Sequence, residues 1–445
     1  MKSYFNYIIR EFLIESWDGA SIINLNSCVS SIQYFEDVFS PAIFISIVLV
    51  NTDGLLTSLI NNDPSMKSGI KGGERVRLVI EQTATQKTIT LDETKNPYYI
   101  YKIHASSSES TREVFILELA PSEVFINETS RVFKRYPEQE GKVESIDTSV
   151  KLILKNVLKT SKFIDAESTL NSYSFFGNSK KPFTILTWLC PKAIPNIGKS
   201  GSEAGTAGFL FYENKNGYNF KSVDNLLSGL KSNSADKKSI EKYYYPNVVD
   251  QVADFASNFT IISMPIFEKN VNIFENLRIG MYSSVNYFFD INTRKINVYN
   301  YKLSESYNIM KHSSSSNNDK PKIPKGLENS PSRLMVKVTD GLVNNTISGN
   351  SNSTPDNRIK YQSQSVARYN LAFSQLLNIT IPLNLNLTVG DVIDLNFGKI
   401  TKDSSKGTLD DLKSGYYLIK ELSHLFSENQ GYTGLKLVRD SYGRS

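Results

Sequence analysis

Two short stretches far apart in the chain share one pattern: a glycine, an acid, and then an apolar residue at every second position. The first is GGERVRLVIE at residues 72–81, and the second is VGDVIDLNFG at residues 389–398. Such alternation is typical of a strand with one buried and one hydrated face. A shift of 317 positions takes Gly73 to Gly390 and keeps the apolar positions of the two stretches in register.

The match continues downstream after one inserted residue. PYYIYK at residues 97–102 matches GYYLIK at residues 415–420 with a shift of 318, so that Tyr98 falls on Tyr416. The last strand of each copy also falls in register, and its matched positions are Leu117 with Leu435 and Leu119 with Leu437.

The order of these matches predicts a β unit that occurs twice. A helical turn is expected before the glycine in both copies, because the shift of 317 also places Leu56 on Phe373 and Leu59–Ile60 on Leu376–Leu377. The alternative is two unrelated antiparallel sheets with similar hairpins. A strongly twisted antiparallel sheet tends to close, since closure removes unpaired edges, and we therefore expect two small barrels.

Composition agrees with a globular, β-rich chain of 445 residues, a length that suggests about three domains. Hydrophobic residues make up 40% and charged residues 21%, and the 24 Tyr and 24 Phe favour pleated sheets. The net charge of +5 is small, and the sequence shows no dense run of Lys and Arg like the basic face of a dedicated DNA-binding protein. Two cysteines, Cys28 and Cys190, indicate free thiols of a protein made in a reducing cytosol.

The middle of the chain has a different periodicity. Residues 147–160 and 180–193 read as helices, and residues 208–224 read as a hairpin that turns at Asn216–Gly217. Further on, residues 287–301 read as a second hairpin and 364–377 as a helix.

Two polar stretches, residues 311–330 and 344–357, are dominated by Ser, Asn and Pro and are expected to be loops or disordered. The fold class predicted is mainly β with some α (α+β), with two tandem antiparallel β-barrels and an inserted α/β middle region. The predicted divisions are a first barrel over 1–122, a helix-containing middle domain over 123–245, a discontinuous second barrel over 246–310 and 358–445, and a polar insertion over 311–357.

The residues that usually carry chemistry are scattered. The three histidines (His104, His312 and His424) have no His-x-x-x-His spacing, and the two cysteines lie far apart, so no metal site is predicted. AIPNIGKS at 193–200 lacks the first glycine of a phosphate loop, and the acids at 410–411 are expected in a turn. We therefore predict no catalytic residue, no cofactor and no enzymatic activity. No run of about 18 apolar residues occurs, and no membrane insertion is predicted.

The strand motifs resemble a known family. NITIPLNLNLTVGDVIDLNF at 378–397, SGYYLIKELSHLF at 414–426 and LKLVRDSYG at 435–443 resemble the C-terminal part of baseplate hub proteins from contractile-tailed bacteriophages. Residues 12–56 and 69–80 resemble the N-terminal domain of the same family.

The resemblance implies a structural protein of the tail baseplate. Members carry two tail-tube-like barrels per chain, and three subunits form a ring of pseudo-sixfold symmetry that joins the hexameric tail tube to the trimeric central spike. The implied partners are two further copies of the chain, the tail tube ring and the central spike protein, with baseplate wedge proteins as further candidates. The implied location is the virion, after synthesis in the host bacterial cytoplasm.

A ring of this kind leaves a channel through which DNA passes without specific binding. We predict that polar strand faces line it or form interfaces, and the candidate residues are Arg75, Arg77, Glu81, Asp394 and Asn396. One alternative function is the hub of a bacterial contractile injection or secretion system. A less favoured alternative is a tail-associated cell-wall hydrolase or sugar-binding module.

Overall fold

Strands dominate the computed structural model. It describes residues 4–15, 22–51, 70, 72–92, 95–109, 112–138, 144–197, 205–228, 240–245, 257–269, 272–291, 293–313, 330–339, 355–399, 409–427 and 430–441. The strands, numbered along the chain, are β1 (Tyr7–Glu15), β2 (Ile22–Asn24), β3 (Val29–Asp37), β4 (Phe44–Asn51), β5 (Arg75–Gln82), β6 (Thr88–Leu91), β7 (Tyr98–Glu109), β8 (Arg112–Pro121), β9 (Arg135–Tyr136), β10 (Ile164–Ala166), β11 (Phe175–Phe176), β12 (Phe209–Asn214), β13 (Gly217–Ser222), β14 (Lys242–Tyr244), β15 (Ile266–Lys269), β16 (Ser283–Asp290), β17 (Ile296–Lys302), β18 (Arg333–Thr339), β19 (Gln375–Pro382), β20 (Val392–Asn396), β21 (Gly415–Ser427) and β22 (Gln430–Arg439).

One large sheet holds fourteen of the described strands. Its main path runs β15-β19-β22-β21-β3-β4-β8-β7-β5-β1-β2, and every neighbouring pair on this path is antiparallel. β6 joins β5, β20 joins β21, and β14 lies parallel to β20. The prediction of a mainly β chain built on antiparallel sheet is confirmed.

The two halves of this sheet repeat one strand order. The first unit runs β3-β4-β8-β7-β5, and the second runs β15-β19-β22-β21-β20. The Gly73 amide donates to the Ile100 carbonyl (2.6 Å), and the Gly390 amide donates in the same way to Ile419 (3.0 Å). Each isoleucine amide in turn donates to the carbonyl of the acid after the glycine, at 3.0 and 2.9 Å. Both glycines have positive φ, 93° and 87°, which favours glycine over other residues. The structure thus contains the duplicated β unit.

These bonds correct the alignment of the middle strand by one residue. They match Ile100 with Ile419, a shift of 319, so Tyr98 corresponds to Tyr417 rather than to Tyr416. A β-bulge follows the isoleucine in both copies. Both strands carry a tyrosine doublet at or next to their first residue. A slip of one residue therefore still aligns tyrosine with tyrosine, but it exchanges the two faces of the sheet.

The helical turn expected before the Gly-acid strand is wrong in the second copy. Leu376 and Leu377 belong to β19, which occupies the position of β4 in the strand order. Burial alternates along β19, as a strand on the sheet surface requires. Residues 56–60 of the first copy lie outside the described residues.

Helices collect in the middle region and at the second unit. The helices are α1 (Ser122–Thr129), α2 (Ile146–Leu152), α3 (Pro182–Leu189), α4 (Val223–Ser228), α5 (Ile273–Arg278), α6 (Leu303–Ser306) and α7 (Pro355–Ala372), with a π-helical turn at Ile153–Val157 and 3-10 turns at Asn26–Cys28, Cys190–Lys192, Ser257–Phe259 and Tyr307–Ile309. α2 with the π-helical turn confirms the helix predicted over 147–160, and α3 confirms the one predicted over 180–193. Pro182 stands in the first turn of α3, where its missing amide proton costs no helical hydrogen bond.

The hairpin predicted over 208–224 is present as β12 and β13, but its turn differs from the prediction. The turn residues are Lys215 and Asn216, whereas Gly217 begins β13 with a φ of 129°. A Cβ at Gly217 would collide with the carbonyl oxygen of Phe163, so glycine is needed for a close backbone approach as well as for its φ.

β16 and β17 form the hairpin predicted over 287–301, and β18 adds to it as a parallel third strand. The helix predicted over 364–377 is α7, which starts earlier, at Pro355, and ends at Ala372. The polar stretch predicted over 344–357 is therefore helical from 355 onwards. Residues 314–329 and 340–354 lie outside the described part of the chain.

Three apolar cores hold these elements. The largest is shared by both β units, and Ile47 of the first lies in the same cluster as Leu437 of the second. The second core packs α2 and α3 against the β12–β13 hairpin, and the third packs α7 against β17 near Tyr301. Because the largest core is continuous, the two units are joined by packing as well as by their sheet.

Candidate assembly surfaces

The two β units meet along one strand pair. The distal half of β21, Glu421–Ser427, pairs antiparallel with Asp37–Ser31 of β3. His424 stacks on Tyr34 with ring centroids 5.8 Å apart, and Gln33 donates to the Ser423 hydroxyl at 3.2 Å. The joint therefore combines backbone pairing with side-chain contacts on both faces of the sheet.

Three of the predicted site residues lie together on the hydrated face of β5. Arg75, Arg77 and Glu81 are half-buried and alternate with fully buried residues of the same strand. Arg75 forms an ion pair with Glu15 of β1, and Glu81 forms one with Arg10 at 2.7 Å. These side chains lie on the face of β5 opposite its buried residues, and they carry charges of both signs.

The other two predicted residues alternate with core residues along β20, but unlike the first three they are buried. Asp394 and Asn396 are each 1% exposed. β14 pairs with β20 directly beside them, with Lys242 opposite Asp394 and Tyr244 opposite Asn396. β14, from an earlier part of the chain, thus occupies the edge of β20 that does not pair with β21.

The hydrated face continues across the joint as a row of charges. Lys436 of β22 lies 3.2 Å from Glu268 and 3.7 Å from Glu421. Lys420 pairs with Glu421 and lies 3.9 Å from Asp37 of the first unit. Positive and negative groups alternate along this row, so the face is strongly polar without being a basic stripe.

Glu36 is a buried acid at the point where both units and the middle region meet. Its carboxylate accepts hydrogen bonds from the Lys215 amide (2.7 Å), the Val389 amide (3.0 Å) and the Tyr34 hydroxyl (2.7 Å). Burial raises the pKa of Glu36 to about 7, although these donors oppose the shift. Sequence analysis did not identify this residue, because its partners lie far away along the chain.

Arg368 is the centre of a second buried network. Its guanidinium donates to Asp224 (2.7 Å), to Asp440 (2.8 Å) and to the Lys311 carbonyl (2.6 Å). His312 also contacts Asp440, at 2.8 Å. Burial alone would raise the pKa of Asp440, but Arg368 and His312 outweigh it and hold that pKa well below its usual range. The network ties α7 to α4 and to the end of β22.

Lys162 links the first unit to the middle region. Its ammonium lies 3.1 Å from Glu123 of α1 and 2.5 Å from Glu213 of β12, and all three side chains are buried. The rings of Tyr98 and Tyr218 flank it, with centroids 5.4 and 5.7 Å from the nitrogen. Burial would lower the pKa of Lys162, but the two carboxylates outweigh it and raise that pKa.

The small β17-β16-β18 sheet presents an exposed apolar face. Val298, Tyr287 and Val336 form one row across its strands, and Ile296, Phe289 and Val338 form the next. Among the exposed large apolar side chains of the protein are Val298, Val336, Ile296 and Val338. The alternation in RLMVKV at 333–338 carries this signal in the sequence, but sequence analysis did not use it.

Among the described residues, no three His, Cys, Asp or Glu side chains converge as metal ligands would. The helices described here are also too short or too polar to cross a membrane. Cys190 is buried and Cys28 is half-buried, and both are free thiols.

The sequence has a relative among phage baseplate proteins. It is 22% identical over 317 residues to the probable baseplate hub protein gp334 of Vibrio phage KVP40, covering 67% of each chain. No protein family model matches the chain. This relative confirms the resemblance of the sequence to baseplate hub proteins.

Two solved structures share the fold along nearly the whole chain. A tail protein from Neisseria meningitidis MC58 superposes with a TM-score of 0.52 at 9% identity, covering 98% of this chain and 97% of that one. The 43 kDa tail protein of prophage MuSo2 from Shewanella oneidensis superposes with a TM-score of 0.51 at 9% identity, covering 97% and 98%. At such identities the likeness concerns the fold alone.

Proposed function

We propose that this protein is the structural hub of a phage tail baseplate, active as a homotrimer. In the ring, three chains with two tube-like β-barrels each supply six similar units around one axis. Such a ring meets a six-subunit tail tube on one face and a threefold central spike on the other. The observation that carries the proposal is the shared strand order of the two units, which are joined edge to edge through β21 and β3.

The relationship to a baseplate hub protein supports this assignment. In the proposal the protein is located in the virion, contacts the tail tube ring and the spike protein, and has baseplate wedge proteins as further candidate partners. It acts by assembly rather than by catalysis. The four divisions stated from the sequence, 1–122, 123–245, 246–310 with 358–445, and 311–357, are kept as proposed domains.

The hydrated face of the large sheet is proposed to line the central channel. Arg75, Arg77 and Glu81 would lie on its wall in the first unit, and the charge row of Lys436 and Glu421 would lie there in the second. Phosphate contacts dominate the affinity of proteins for DNA, so a wall of alternating charge lets DNA pass without being held.

The experiment is a mass measurement on the purified chain. Light scattering and native mass spectrometry should report a trimer of about 150 kDa, three times the 50.1 kDa of one chain. A species that stays at 50.1 kDa at every concentration, or that forms dimers, contradicts the proposed ring.

A further inference from the structure

We infer that the trimer closes by strand pairing, with β15 of one copy adding antiparallel to the distal half of β7 in the next copy. This inference rests on the proposed trimeric hub and specifies how its subunits are joined. It is based on the joint between the two β units inside each chain. Because the two units repeat one strand order, an equivalent joint can form between two chains.

The internal joint lies on the part of the β21 edge that extends past the shorter strand β20. One edge of β21 pairs with β22 along nearly its whole length. The other edge pairs first with β20, up to Leu418, and then with β3 from Glu421 to Ser427. β3 therefore occupies the part of the edge that β20 leaves open.

β7 has the same construction in the first unit. One edge pairs with β8 from Tyr98 to Glu109. The other edge pairs with β5 only at Tyr98 and Tyr99, and no described strand pairs with it over 102–109. This open segment is the counterpart of the β21 segment that holds β3. The first unit thus offers the same acceptor edge, and none of the described strands of its own chain lies on it.

β15 is the counterpart of β3 and has the complementary edge. It pairs with β19 on one side, and no described strand pairs with its other side. Three exposed apolar side chains alternate along it and the residues before it: Ile262, Met264 (78% exposed) and Ile266 (59% exposed). Pro265 removes one amide donor from this edge, and the charged residues Glu268 and Lys269 are already paired within the chain. An unpaired strand edge with exposed apolar side chains is a template for pairing with another chain.

The register follows from the internal joint. There Leu425 lies opposite Gln33. Leu425 corresponds to Ser107, because their partners Tyr432 and Val114 match at the shift of 318. Gln33 corresponds to Ile266, because β4 and β19 connect them to Glu118 and Lys436, which match at the same shift. The pairing between copies therefore places Ser107 of one chain opposite Ile266 of the next.

This contact is head-to-tail, because each chain uses a different edge toward each neighbour. Head-to-tail contacts generate rings when the rotation closes. With three chains, three internal and three external joints of the same type alternate around the axis. All six units are then in similar surroundings, which is the condition for a ring that matches sixfold geometry.

The test is cysteine cross-linking between copies. Ser107→Cys together with Ile266→Cys should form disulfides between chains under mild oxidation, because opposite residues of antiparallel strands bring their Cβ atoms within disulfide range. Non-reducing gels should show a covalent trimer as the largest product. Each single variant and the unaltered chain, with Cys28 and Cys190 in place, should give monomer bands.

The matched control is the internal joint. Leu425→Cys with Gln33→Cys should form a disulfide within the chain, which leaves the band at monomer mass and is detected by peptide mapping. This variant shows that the oxidant closes a disulfide at a joint of this geometry.

A second pair of variants tests the joint without oxidation. Ile266→Lys should raise the concentration at which half of the trimer dissociates at least tenfold. Ile296→Lys, at a position of similar exposure (63%) on β17, should leave that concentration unchanged. Both residues are exposed in the single chain, so neither change is expected to disturb its folding.

The outcomes separate the inference from the proposed function. Covalent trimer that needs both new cysteines supports the joint. A trimer by light scattering with no interchain disulfide, while the control pair closes, overturns the joint and leaves the trimeric hub standing. A chain that remains monomeric throughout overturns the proposed ring and the joint together.

Discussion

Replacing Arg368 by methionine tests whether the buried ion network stabilises the second unit. Arg368 is 0% exposed and bonds to Asp224, Asp440 and a backbone carbonyl. Methionine keeps much of the side-chain volume but leaves two buried carboxylates without this partner. Removing one member of a buried ion pair costs about 3–5 kcal/mol, because the remaining charge stays desolvated.

Hydrogen exchange with mass spectrometry reads this loss locally. Peptides from the last turns of α7, 361–372, should lose about a hundredfold or more in protection in Arg368→Met, since each 1.4 kcal/mol corresponds to a factor of ten. Adding Asp440→Asn should restore part of the protection, because it removes one of the stranded charges. Arg10→Met is the matched control, as its pairing with Glu81 lies at the surface.

The acid dependence provides a further readout. The folded-state pKa of Asp440 lies below its unfolded value, so its stabilisation is present above the unfolded pKa and is lost as the pH falls. The wild-type chain should therefore lose stability more steeply below pH 4 than Arg368→Met does. Equal protection of these α7 peptides in Arg368→Met and Arg10→Met would show that the buried network does not stabilise the second unit.

Two further changes address the junction of the units. The pKa of Glu36 is raised from 4.5 to about 7, so the folded state loses about 3 kcal/mol relative to the unfolded state as the pH rises through this window. Urea midpoints at pH 5 and pH 8 should therefore differ less in Glu36→Gln than in the wild type, and an unchanged difference would contradict this assignment. Gly390→Ala should destabilise the chain by about 1–3 kcal/mol, because the backbone has a positive φ there and the added methyl group would collide with a tyrosine hydroxyl. Gly434 has neither feature, so Gly434→Ala should change the thermal midpoint little.

The repeat could be predicted from the sequence because its signals are local. Glycine before an acid and strict alternation mark the strand that begins at Arg75 and the one that begins at Val392, wherever they lie in the fold. The one-residue error at Tyr98 arose because a tyrosine doublet matches in two registers. The two possible alignments of the doublet are distinguished only by the backbone hydrogen bonds that the Gly73 and Gly390 amides make in the structure.

The burial of Asp394 and Asn396 could not be predicted in this way. Both residues lie beside β14, a strand of three residues that comes from Lys242–Tyr244, about 150 positions earlier in the chain. Arg368 and Glu36 share this property, since each is defined by partners that are distant in sequence. Periodicity reports which face of a strand is apolar, but it does not report which other element covers the polar face.

Cryo-electron microscopy of the purified assembly would show whether the two β units of three chains form one ring. We expect a ring of three chains around an open channel, in which the β3-β4-β8-β7-β5 unit and the β15-β19-β22-β21-β20 unit alternate and superpose under a sixfold rotation. A map in which the two units of each chain lie at different radii, or in which the chains share no threefold axis, would contradict it.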